Sequence, residues 1–275
     1  MAKHHVMICD TLQGLIEGTI EHEGEVVRNA ILCMPPGAAK STYANVVVPS
    51  WAMGKFPGYN IITTSYGTPL ALKQSRKTRS IAKQPRYQQT FKTELSNDNS
   101  AVEDWSLQNG STMRAAGILA GVTGNRADGV IIDDPLKGRQ EAESETTRNT
   151  IKDAIDDDLM TRLKPNGWVC YILTRWHEDD PVGRLLPDDY DGQTGFFRCS
   201  DGEIYFVLSL QAQCDRIDDP LGRKVGEYIW PEWFPASHWR RFQSNSRTWS
   251  ALYQQRPQPD EGTYFQKAWF GRYRS

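Results

Sequence analysis

One segment of the chain, A-I-L-C-M-P-P-G-A-A-K-S-T from Ala30 to Thr42, combines an apolar run, a Pro-Pro-Gly bend, a lysine and two hydroxyls. That order of parts suits the binding of a nucleoside triphosphate, because backbone N–H groups at the start of a helix face the phosphates. Lys40 would neutralise the β and γ oxygens as a catalytic group, and Ser41 would hold Mg²⁺. The candidate nucleotide-binding residues are Pro36, Gly37, Ala38, Ala39, Lys40, Ser41 and Thr42.

This loop departs from the standard glycine pattern of phosphate loops. The pattern places glycine six residues before the lysine and again directly before it, where this chain has Met34 and Ala39. The loop's own glycine, Gly37, lies three residues before Lys40. Taken alone, the segment is equally compatible with a strand–turn–helix corner that carries an exposed lysine.

Two carboxylates follow a second apolar run. The segment G-V-I-I-D-D-P, Gly129 to Pro135, has the length and turn boundaries of a buried parallel strand. In phosphate-loop enzymes a carboxylate at the tip of a neighbouring strand orients Mg²⁺, and a second acid can align the attacking water. We therefore assign Asp133 to the metal and Asp134 to the water. The alternative is that D-D-P only ends a strand and starts a turn.

A third strand candidate, Trp168 to Asp180, ends in the polar sequence T-R-W-H-E-D-D. Polar groups at the carboxyl ends of parallel strands converge on one crevice, where open α/β sheets bind ligands. Thr174 would sense the γ-phosphate by hydrogen bonding in that crevice. The competing interpretation is a capped loop, in which Asp179 or Asp180 caps a helix after Pro181. Both interpretations can hold together.

Strand-like and helix-like segments alternate along the rest of the sequence. The predicted strands are Val26 to Met34, Tyr59 to Ser65, Gly129 to Ile132, Trp168 to Thr174 and Ile204 to Leu210. The predicted helices are Met7 to Glu21, Lys40 to Met53, Pro69 to Ala82, an acidic helix near Glu141 to Asp158 and one after Pro181. A hairpin is predicted between Asp104 and Gly121. This alternation predicts an α/β fold, with a mostly parallel sheet covered by helices on both faces.

The segments M-P-P-G-A-A-K-S-T, T-G-N-R-A-D, I-I-D-D-P, L-T-R-W-H-E-D-D-P-V-G-R-L-L and L-Y-Q-Q-R-P-Q-P-D-E-G occur in this order along nearly the whole chain. Together they resemble the large terminase subunit of tailed bacteriophages, and the T-R-W-H-E-D-D and Y-Q-Q-R-P segments are the distinctive ones. The resemblance implies a P-loop NTPase core of the additional-strand (ASCE) type. It also implies an ATP-hydrolysing motor that drives double-stranded viral DNA into a procapsid, with ATP and Mg²⁺ bound.

The resemblance also implies roles for individual residues. It makes Gly37, Lys40, Ser41 and Thr42 the phosphate and Mg²⁺ loop, Asp133 the metal-orienting acid and Thr174 the residue that couples hydrolysis to movement. Many family members have glutamate directly after the metal-orienting aspartate, whereas this chain has the shorter Asp134. Either Asp134 positions the water, or a nearby acid such as Glu141 takes that catalytic role.

Partners and domain organisation follow from the same resemblance. The implied partners are duplex DNA, the portal protein, the small terminase subunit and further copies of the chain, in a homo-oligomeric ring, a pentamer, that assembles from monomers. The implied location is the cytoplasm of the infected bacterium, at the procapsid portal. We expect an ATPase core in residues 1–214, an aromatic-rich appendage in residues 215–257 and a linker in residues 258–275. That linker would lead to a nuclease domain that this chain lacks, so nuclease activity is not expected.

The predicted appendage concentrates large aromatic rings around Trp230, Trp233, Phe234 and Trp239. Such rings can stack on nucleic-acid bases, and Arg240 and Arg241 could then hold phosphates. The alternative is a small unit packed against the edge of the sheet. The sequence leaves both open.

The formal net charge of -2 is unusual for a protein that binds DNA. The charge is unevenly spread, because residues 73–92 carry only cations: Lys73, Arg76, Lys77, Arg79, Lys83, Arg86 and Lys92. A solvated helix face would explain this run equally well. Given the resemblance, an arginine could instead reach into a neighbouring subunit's ATP site as an arginine finger. The candidates are Arg79 and Arg76, followed by Arg114 and Arg126.

Composition excludes some classes and leaves two rivals. No apolar run approaches the roughly twenty residues of a membrane span, so no membrane partner is expected. One rival is a helicase-like or DNA-repair ATPase, which shares the phosphate loop and the acidic strand tip. The other is a non-catalytic, portal-binding module with a degenerate loop, for which Met34, Ala39 and Asp134 are the suspicious residues.

Overall fold

The computed structural model describes residues 1–122 and 124–258. Its strands are β1 (Glu21–His22), β2 (Glu25–Val26), β3 (Asn29–Cys33), β4 (Asn60–Ser65), β5 (Leu95–Ser100), β6 (Asp104–Leu107), β7 (Thr112–Gly117), β8 (Ala127–Asp133), β9 (Leu163–Leu173), β10 (Gly195–Arg198) and β11 (Ile204–Ser209). Its α-helices are α1 (Lys3–Glu17), α2 (Lys40–Thr42), α3 (Val48–Lys55), α4 (Thr68–Ala82), α5 (Pro85–Phe91), α6 (Arg139–Glu143), α7 (Glu145–Asp153), α8 (Ala236–Gln243) and α9 (Ser246–Thr248). Helical segments of other types are Tyr43–Val47, Ala154–Leu159 and Trp249–Tyr253, which are π-helical, and the 3-10 turn Met160–Arg162.

Nine of the described strands form one sheet, in the order β10-β11-β3-β9-β8-β4-β7-β6-β5. The strands from β11 to β7 in this order are parallel to their neighbours, and the strands outside them are antiparallel. The prediction of a mostly parallel sheet is therefore confirmed. Strand β9 lies between β3 and β8, so an additional strand separates the lysine-bearing loop from the acidic strand tip, as the ASCE type requires.

The sheet register brings the polar strand ends together. Cys33 pairs with Leu173, and Asp133 pairs with both Ile172 and Ser65. The segments that follow β3, β8 and β9 therefore leave the sheet at the same edge. Because carboxyl ends of parallel strands share one edge, this is the crevice where open α/β sheets bind ligands.

Alternate residues of the central strands enter two hydrophobic layers. Ala30 and Leu32 of β3 pack into one core with α1 and α3, whereas Ile31 and Cys33 pack into the other with α6 and α7. Each of these side chains is fully buried. Burying the larger of these side chains, Ile31 and Leu32, stabilises the fold by about 1.5–3 kcal/mol each. Helices thus cover both faces of the sheet, as predicted.

The helix predicted after Pro181 is wrong, because residues 181–186 form successive turns. The buried Arg175–Asp180 ion pair, at 2.7 Å, pulls this segment against the end of β9. A Cβ at Gly183 would lie 1.7 Å from the Glu178 carbonyl oxygen, so only glycine permits this approach. The predicted helix cap is therefore wrong as well, and the Asp180 carboxylate instead stabilises a turn by accepting a hydrogen bond from the Gly183 N–H at 2.8 Å.

Other boundaries shifted by a few residues. Helix α1 begins at Lys3 and ends at Glu17, because Gly18 takes the left-handed conformation that stops a helix. The predicted acidic helix is divided into α6, α7 and the π-helical turn Ala154–Leu159. The predicted hairpin is present as β6 and β7, with Trp105 opposite Met113.

Residues 215–257 pack on the sheet face that carries α1. The Trp239 side chain is fully buried in that core, in contact with the rings of Tyr228, Trp249 and Tyr253. Backbone hydrogen bonds from Ala212 to Tyr253 and from Ile229 to Ala212 tie this segment to the end of β11. The predicted linker, residues 258–275, lies outside the described residues except for its first residue. Within the described ranges, no helix combines the length and apolarity needed to cross a membrane.

Candidate nucleotide site

The predicted phosphate loop joins the end of β3 to the helix that begins at Lys40. Gly37 and Ala39 both have left-handed backbones, with φ of 84° and 62°. Ala39 occupies the position where the standard pattern has glycine, and its conformation explains that preference. An alanine there costs about 1–2 kcal/mol. Gly37 also lies close to an aromatic side chain, because a Cβ there would lie 2.8 Å from Phe234 Cζ and would displace that ring.

The part of the loop that can bind phosphate is the start of helix α2, rather than the loop along its full length. Helix α2 begins at Lys40 and continues through the π-helical turn Tyr43–Val47 into α3. The first N–H groups of a helix have no intrahelical acceptor, so those at the start of α2 are available to phosphate oxygens. Ala38 has a structural role instead, because its N–H donates to the Pro35 carbonyl at 3.3 Å and its side chain is buried. The Ala38 carbonyl hydrogen-bonds His4 Nε2 at 3.1 Å. Burial and the neighbouring His5 lower the pKa of His4 to about 4, so this neutral ring donates the hydrogen bond.

Lys40 is held between two strand ends. Its Nζ donates to Thr174 Oγ1 at 2.9 Å and lies 3.8 Å from Asp134 Oδ1. The Thr174 backbone N–H donates to the same carboxylate at 3.2 Å, and its hydroxyl donates to the Met34 carbonyl at 3.3 Å. The structure thus brings together the predicted catalytic lysine, coupling threonine and water-positioning acid.

Asp133 lies fully buried beside the loop hydroxyl. Ser41 Oγ donates to Asp133 Oδ1 at 2.8 Å, and Asn45 Nδ2 donates to Oδ2 at 3.0 Å. Burial, reinforced by the neighbouring Asp134, raises the pKa of Asp133 to about 6. A buried carboxylate held by neutral donors, next to a hydroxyl, is an all-oxygen donor set that fits Mg²⁺. Ser41 and Asp133 are therefore the residues that would hold it.

Asn45 is a site residue that the sequence analysis missed. It lies in the π-helical turn, and its Oδ1 accepts a hydrogen bond from Thr63 Oγ1 at 2.7 Å. Its backbone carbonyl accepts a longer hydrogen bond from Thr78 Oγ1 at 3.4 Å. A single π-helical turn inside an α-helix often occurs at a functional site. The signal in the sequence is one amide within the apolar run A-N-V-V-V.

Asp134 and Glu141 are placed differently relative to Lys40. Asp134 has a left-handed φ of 45°, and its carbonyl accepts a hydrogen bond from the Tyr66 N–H at 3.1 Å. Strained backbone of this kind is concentrated at functional sites. Glu141 does not line the cavity beside Lys40, and its carboxylate accepts the Lys137 backbone N–H at 2.8 Å.

A cavity of about 660 Å³ opens in front of the loop. Its lining includes Pro36, Gly37, Ala39, Lys40, Ser41, Thr42, Asp134 and Thr174, so every predicted loop residue except Ala38 borders it. Aromatic rings that the sequence analysis did not place here also line it: Tyr66, Trp176, Trp230 and Trp233. Trp233 is 64% exposed, while Trp239 is core. The predicted aromatic group therefore divides between packing and this cavity.

The arginine-finger candidates do not line the cavity of their own chain, in the part that the structure describes. Arg76 is exposed and Arg79 half-buried on α4. Arg114 is ion-paired with Asp104 at 2.9 Å, and Arg126 donates to the Thr161 carbonyl at 3.0 Å. For Arg114 and Arg126, a role in another subunit's site would therefore require that assembly release these contacts.

The Y-Q-Q-R-P segment ties the described C-terminal end to three places. The Gln254 amide bonds the backbone N–H and carbonyl of Gln213. Gln255 is buried, and its Oε1 accepts the Arg175 N–H at 3.4 Å, directly beyond Thr174. Arg256 donates to the Asp191 carbonyl and to the Asp215 carboxylate. This segment therefore contacts the end of β9, which carries Thr174.

Asp133→Asn should stabilise the protein increasingly as pH rises. The folded-state pKa of Asp133 is raised from 3.8 to about 6, so its stabilising contribution is present at low pH and is lost between these two values. Above pH 6 the buried charge therefore costs on the order of 3 kcal/mol, which the substitution removes. The measurement is urea unfolding of both proteins without Mg²⁺ across this pH range.

Asp179→Asn is the matched control for this effect. Hydrogen bonds from Arg184 and Arg148 lower the pKa of Asp179, so its charged form contributes stability above its usual pKa. Within the measured pH range that contribution is already complete, so the control should be less stable than the unmodified chain by an amount that stays nearly constant with pH. A pH-independent difference for Asp133→Asn would contradict the buried charge.

The sequence and the fold were compared with known proteins. Residues 31–271 match the family described as terminase large subunit, T4likevirus-type, N-terminal. No curated protein matches the chain significantly. The large terminase of a thermophilic bacteriophage matches with 11% identity and a TM-score of 0.50, over 92% of this chain and 52% of that one. The ATPase domain of the Thermus phage P74-26 large terminase matches with 15% identity and a TM-score of 0.49, over 89% and 98%.

A third solved structure, the HK97 bacteriophage large terminase, matches with 14% identity and a TM-score of 0.43, over 60% of this chain and 37% of that one. Further structures of the thermophilic-phage protein are complexes with ADP and with ATP-gamma-S. The chain spans about half the length of that phage protein. At 11% identity and a TM-score of 0.50, the similarity to the thermophilic-phage protein concerns the fold alone, and it agrees with the predicted P-loop NTPase fold.

Proposed function

Because this chain belongs to the terminase large subunit family, we propose that it hydrolyses ATP and uses the energy to move double-stranded viral DNA into a procapsid. One observation carries the proposal. Lys40 and Ser41 contact the ends of two different strands, through Thr174 at 2.9 Å and Asp133 at 2.8 Å, beside a single cavity. Phosphoryl transfer depends mainly on this kind of positioning and charge stabilisation.

Each of these residues has a defined part in the proposed reaction. The helix N–H groups and Lys40 would hold the β- and γ-phosphates. Ser41 and Asp133 would hold Mg²⁺, which neutralises charge that develops on the phosphate oxygens. Asp134 would align the attacking water and accept its proton.

Thr174 would couple the loss of phosphate to movement. An ammonium group has three donors, so Lys40 can keep its bond to Thr174 while it contacts a phosphate oxygen. When that oxygen leaves, Lys40 shifts, and Thr174 moves with the end of β9. Gln255 contacts the next residue, Arg175, so the shift reaches the C-terminal segment.

The proposed setting is an assembled motor. Its partners would be duplex DNA, the portal protein, the small terminase subunit and further copies of this chain in a pentameric ring, and its place the procapsid portal in the host cytoplasm. An arginine from a neighbouring subunit would complete each site, and such a residue contributes about 10³–10⁵-fold in related enzymes. We therefore expect phosphate release per protein molecule to rise with protein concentration, and a flat dilution series would contradict the shared site.

Mixing two inactive variants identifies the arginine. Lys40→Ala destroys a chain's own site but keeps its arginine, whereas each of Arg76→Ala, Arg79→Ala, Arg114→Ala and Arg126→Ala keeps the site. For the correct arginine, the mixture should release phosphate faster than either variant alone, because one chain supplies what its neighbour lacks. If none of the four mixtures recovers activity, none of these arginines acts in trans.

A further inference from the structure

Helices α4 and α5 present an unusually basic surface. Residues 73–92 contain seven cations and no acid: Lys73, Arg76, Lys77, Arg79, Lys83, Arg86 and Lys92. All of them are exposed except Arg79, which is half-buried. The opposite face of α4 carries Ala71, Ser75, Thr78 and Ala82, which are buried against the sheet. The charge is therefore concentrated on one side, towards solvent.

The side chains of these cations have no polar partner in the part of the chain that the structure describes. Among the described residues, none of the seven side chains takes part in an ion pair or a hydrogen bond, and the side-chain hydrogen bonds at Arg76 and Arg86 reach only their backbone carbonyls. Arginines elsewhere in the fold are commonly paired with carboxylates, as Arg148 and Arg184 are with Asp179 and Arg223 is with Asp219. The overall charge of -2 makes this contrast sharper. A face that keeps its positive charge unneutralised is complementary to a polyanion.

The spacing on α4 suits a regular array of negative charges. Lys73 lies three and four residues before Arg76 and Lys77, so these side chains share one side of α4, and the C-cap residue Lys83, seven residues after Arg76, falls on the same side. Lys73 and Lys83 are ten positions apart, which corresponds to about 15 Å along the helix axis. Duplex DNA carries one negative charge per about 1.7 Å of its axis, so several phosphates lie within reach of this face.

The same helix contacts the nucleotide site. Lys73 and Gln74 line the cavity beside Lys40. On its inner side, Thr78 Oγ1 donates to the Asn45 carbonyl at 3.4 Å, and Asn45 holds Asp133 at 3.0 Å. A polyanion bound to the outer face would therefore be one helix away from the residues that hold Mg²⁺ and phosphate.

We propose that the exposed cations of α4 and α5 bind the phosphate backbone of duplex DNA without reading its sequence. This inference rests on the proposed function and names the surface through which it acts. Charge complementarity favours DNA over an acidic protein, because the exposed side chains form a row of lysines and arginines that matches repeated phosphates, while the aromatic residues of this stretch, Tyr87 and Phe91, are buried and half-buried. The contacts are electrostatic, so they release counterions and depend steeply on salt.

The experiment measures duplex DNA binding by fluorescence anisotropy over a salt series, without nucleotide. The test variant combines Lys77→Gln, Lys83→Gln and Arg86→Gln, which lie outside the nucleotide cavity and the set of arginine-finger candidates. Three lost phosphate contacts should reduce the slope of log affinity against log salt by up to about 2.7. At about 50 mM salt the Kd should rise at least about tenfold, while phosphate release without DNA stays unchanged.

The control variant combines Lys55→Gln, Lys152→Gln and Lys224→Gln, three exposed cations outside α4 and α5. It removes the same charge and should leave the slope and the Kd near those of the unmodified chain. Lys77→Arg with Lys83→Arg should also retain binding, which separates charge from folding. An unchanged slope in the test variant, or an equal loss in the control, would overturn the assignment.

Failure of the proposed function would appear separately. Binding is measured without ATP, so a chain that binds DNA through this face but releases no phosphate would refute the ATPase alone. A chain that hydrolyses ATP while the test variant binds DNA normally would refute the surface alone. Binding of an acidic protein in place of DNA, with the same loss in the test variant, would also overturn it.

Discussion

Lys40→Ala should reduce ATP hydrolysis by at least about a hundredfold, since removal of one group that stabilises transition-state charge typically costs 10²–10³ in rate. Lys40 is buried, and its ammonium is the cation that bridges the predicted coupling and water-positioning residues, at 2.9 Å from Thr174 Oγ1 and 3.8 Å from Asp134 Oδ1. The loss should therefore fall on the chemical step as well as on nucleotide binding. Steady-state phosphate release measures the loss in the chemical step, and calorimetry with ADP measures the loss in nucleotide binding.

Lys137→Ala is the matched control for this substitution. Lys137 lines the same cavity but is exposed. Its removal takes away the same formal charge without touching Thr174 or Asp134, so hydrolysis should change only a few-fold. Equal rates for the unmodified chain and Lys40→Ala would refute the phosphate loop and favour a non-catalytic, portal-binding module.

The fold was predictable from the sequence where local pattern and global packing agree. The apolar runs that became β3, β8 and β9 are short, bounded by turns and buried on both faces, which is the pattern of central parallel strands. Polar residues directly after them had to meet at one edge once the strands were parallel. That single geometric rule placed Lys40, Asp133, Asp134 and Thr174 together.

What the sequence left open depends on contacts between distant residues. The turns after Pro181 replace a helix because Arg175 pairs with Asp180 in a buried site and Gly183 approaches Glu178, and no local propensity encodes either contact. The placement of Trp233 at the nucleotide cavity follows from how residues 215–257 fold back over the loop. Asn45 was missed because a π-helical turn has no sequence periodicity that distinguishes it from an α-helix.

Two non-glycine residues of the site, Ala39 in the phosphate loop and Asp134 after β8, adopt backbone conformations that usually require glycine. Ala39 and Asp134 both hold left-handed backbones, with φ of 62° and 45°. Strain at each position is of order 1–3 kcal/mol and persists only where neighbouring contacts hold it in place. At Asp134 those contacts include the Thr174 N–H, so the same bond fixes the carboxylate beside Lys40.

Asp134→Asn should lower the turnover number about 10²–10³-fold while nucleotide affinity changes little. Asparagine keeps the shape and adopts a left-handed backbone readily, so it preserves the hydrogen bond from the Thr174 N–H. It cannot accept the proton of the attacking water, and general-base contributions are typically 10²–10⁴-fold. Turnover and KM for ATP, measured on the same preparation, separate chemistry from binding.

Glu141→Gln decides between the two acids. The Glu141 carboxylate accepts the Lys137 backbone N–H, and a glutamine oxygen can accept the same bond. Because Glu141 lies outside the cavity lining, its substitution should leave turnover within about twofold, since a surface group away from the reacting atoms contributes little to the barrier. The reverse pattern, with Asp134→Asn active and Glu141→Gln inactive, would transfer the water-positioning role to Glu141 and would require the loop that follows β8 to move when ATP binds.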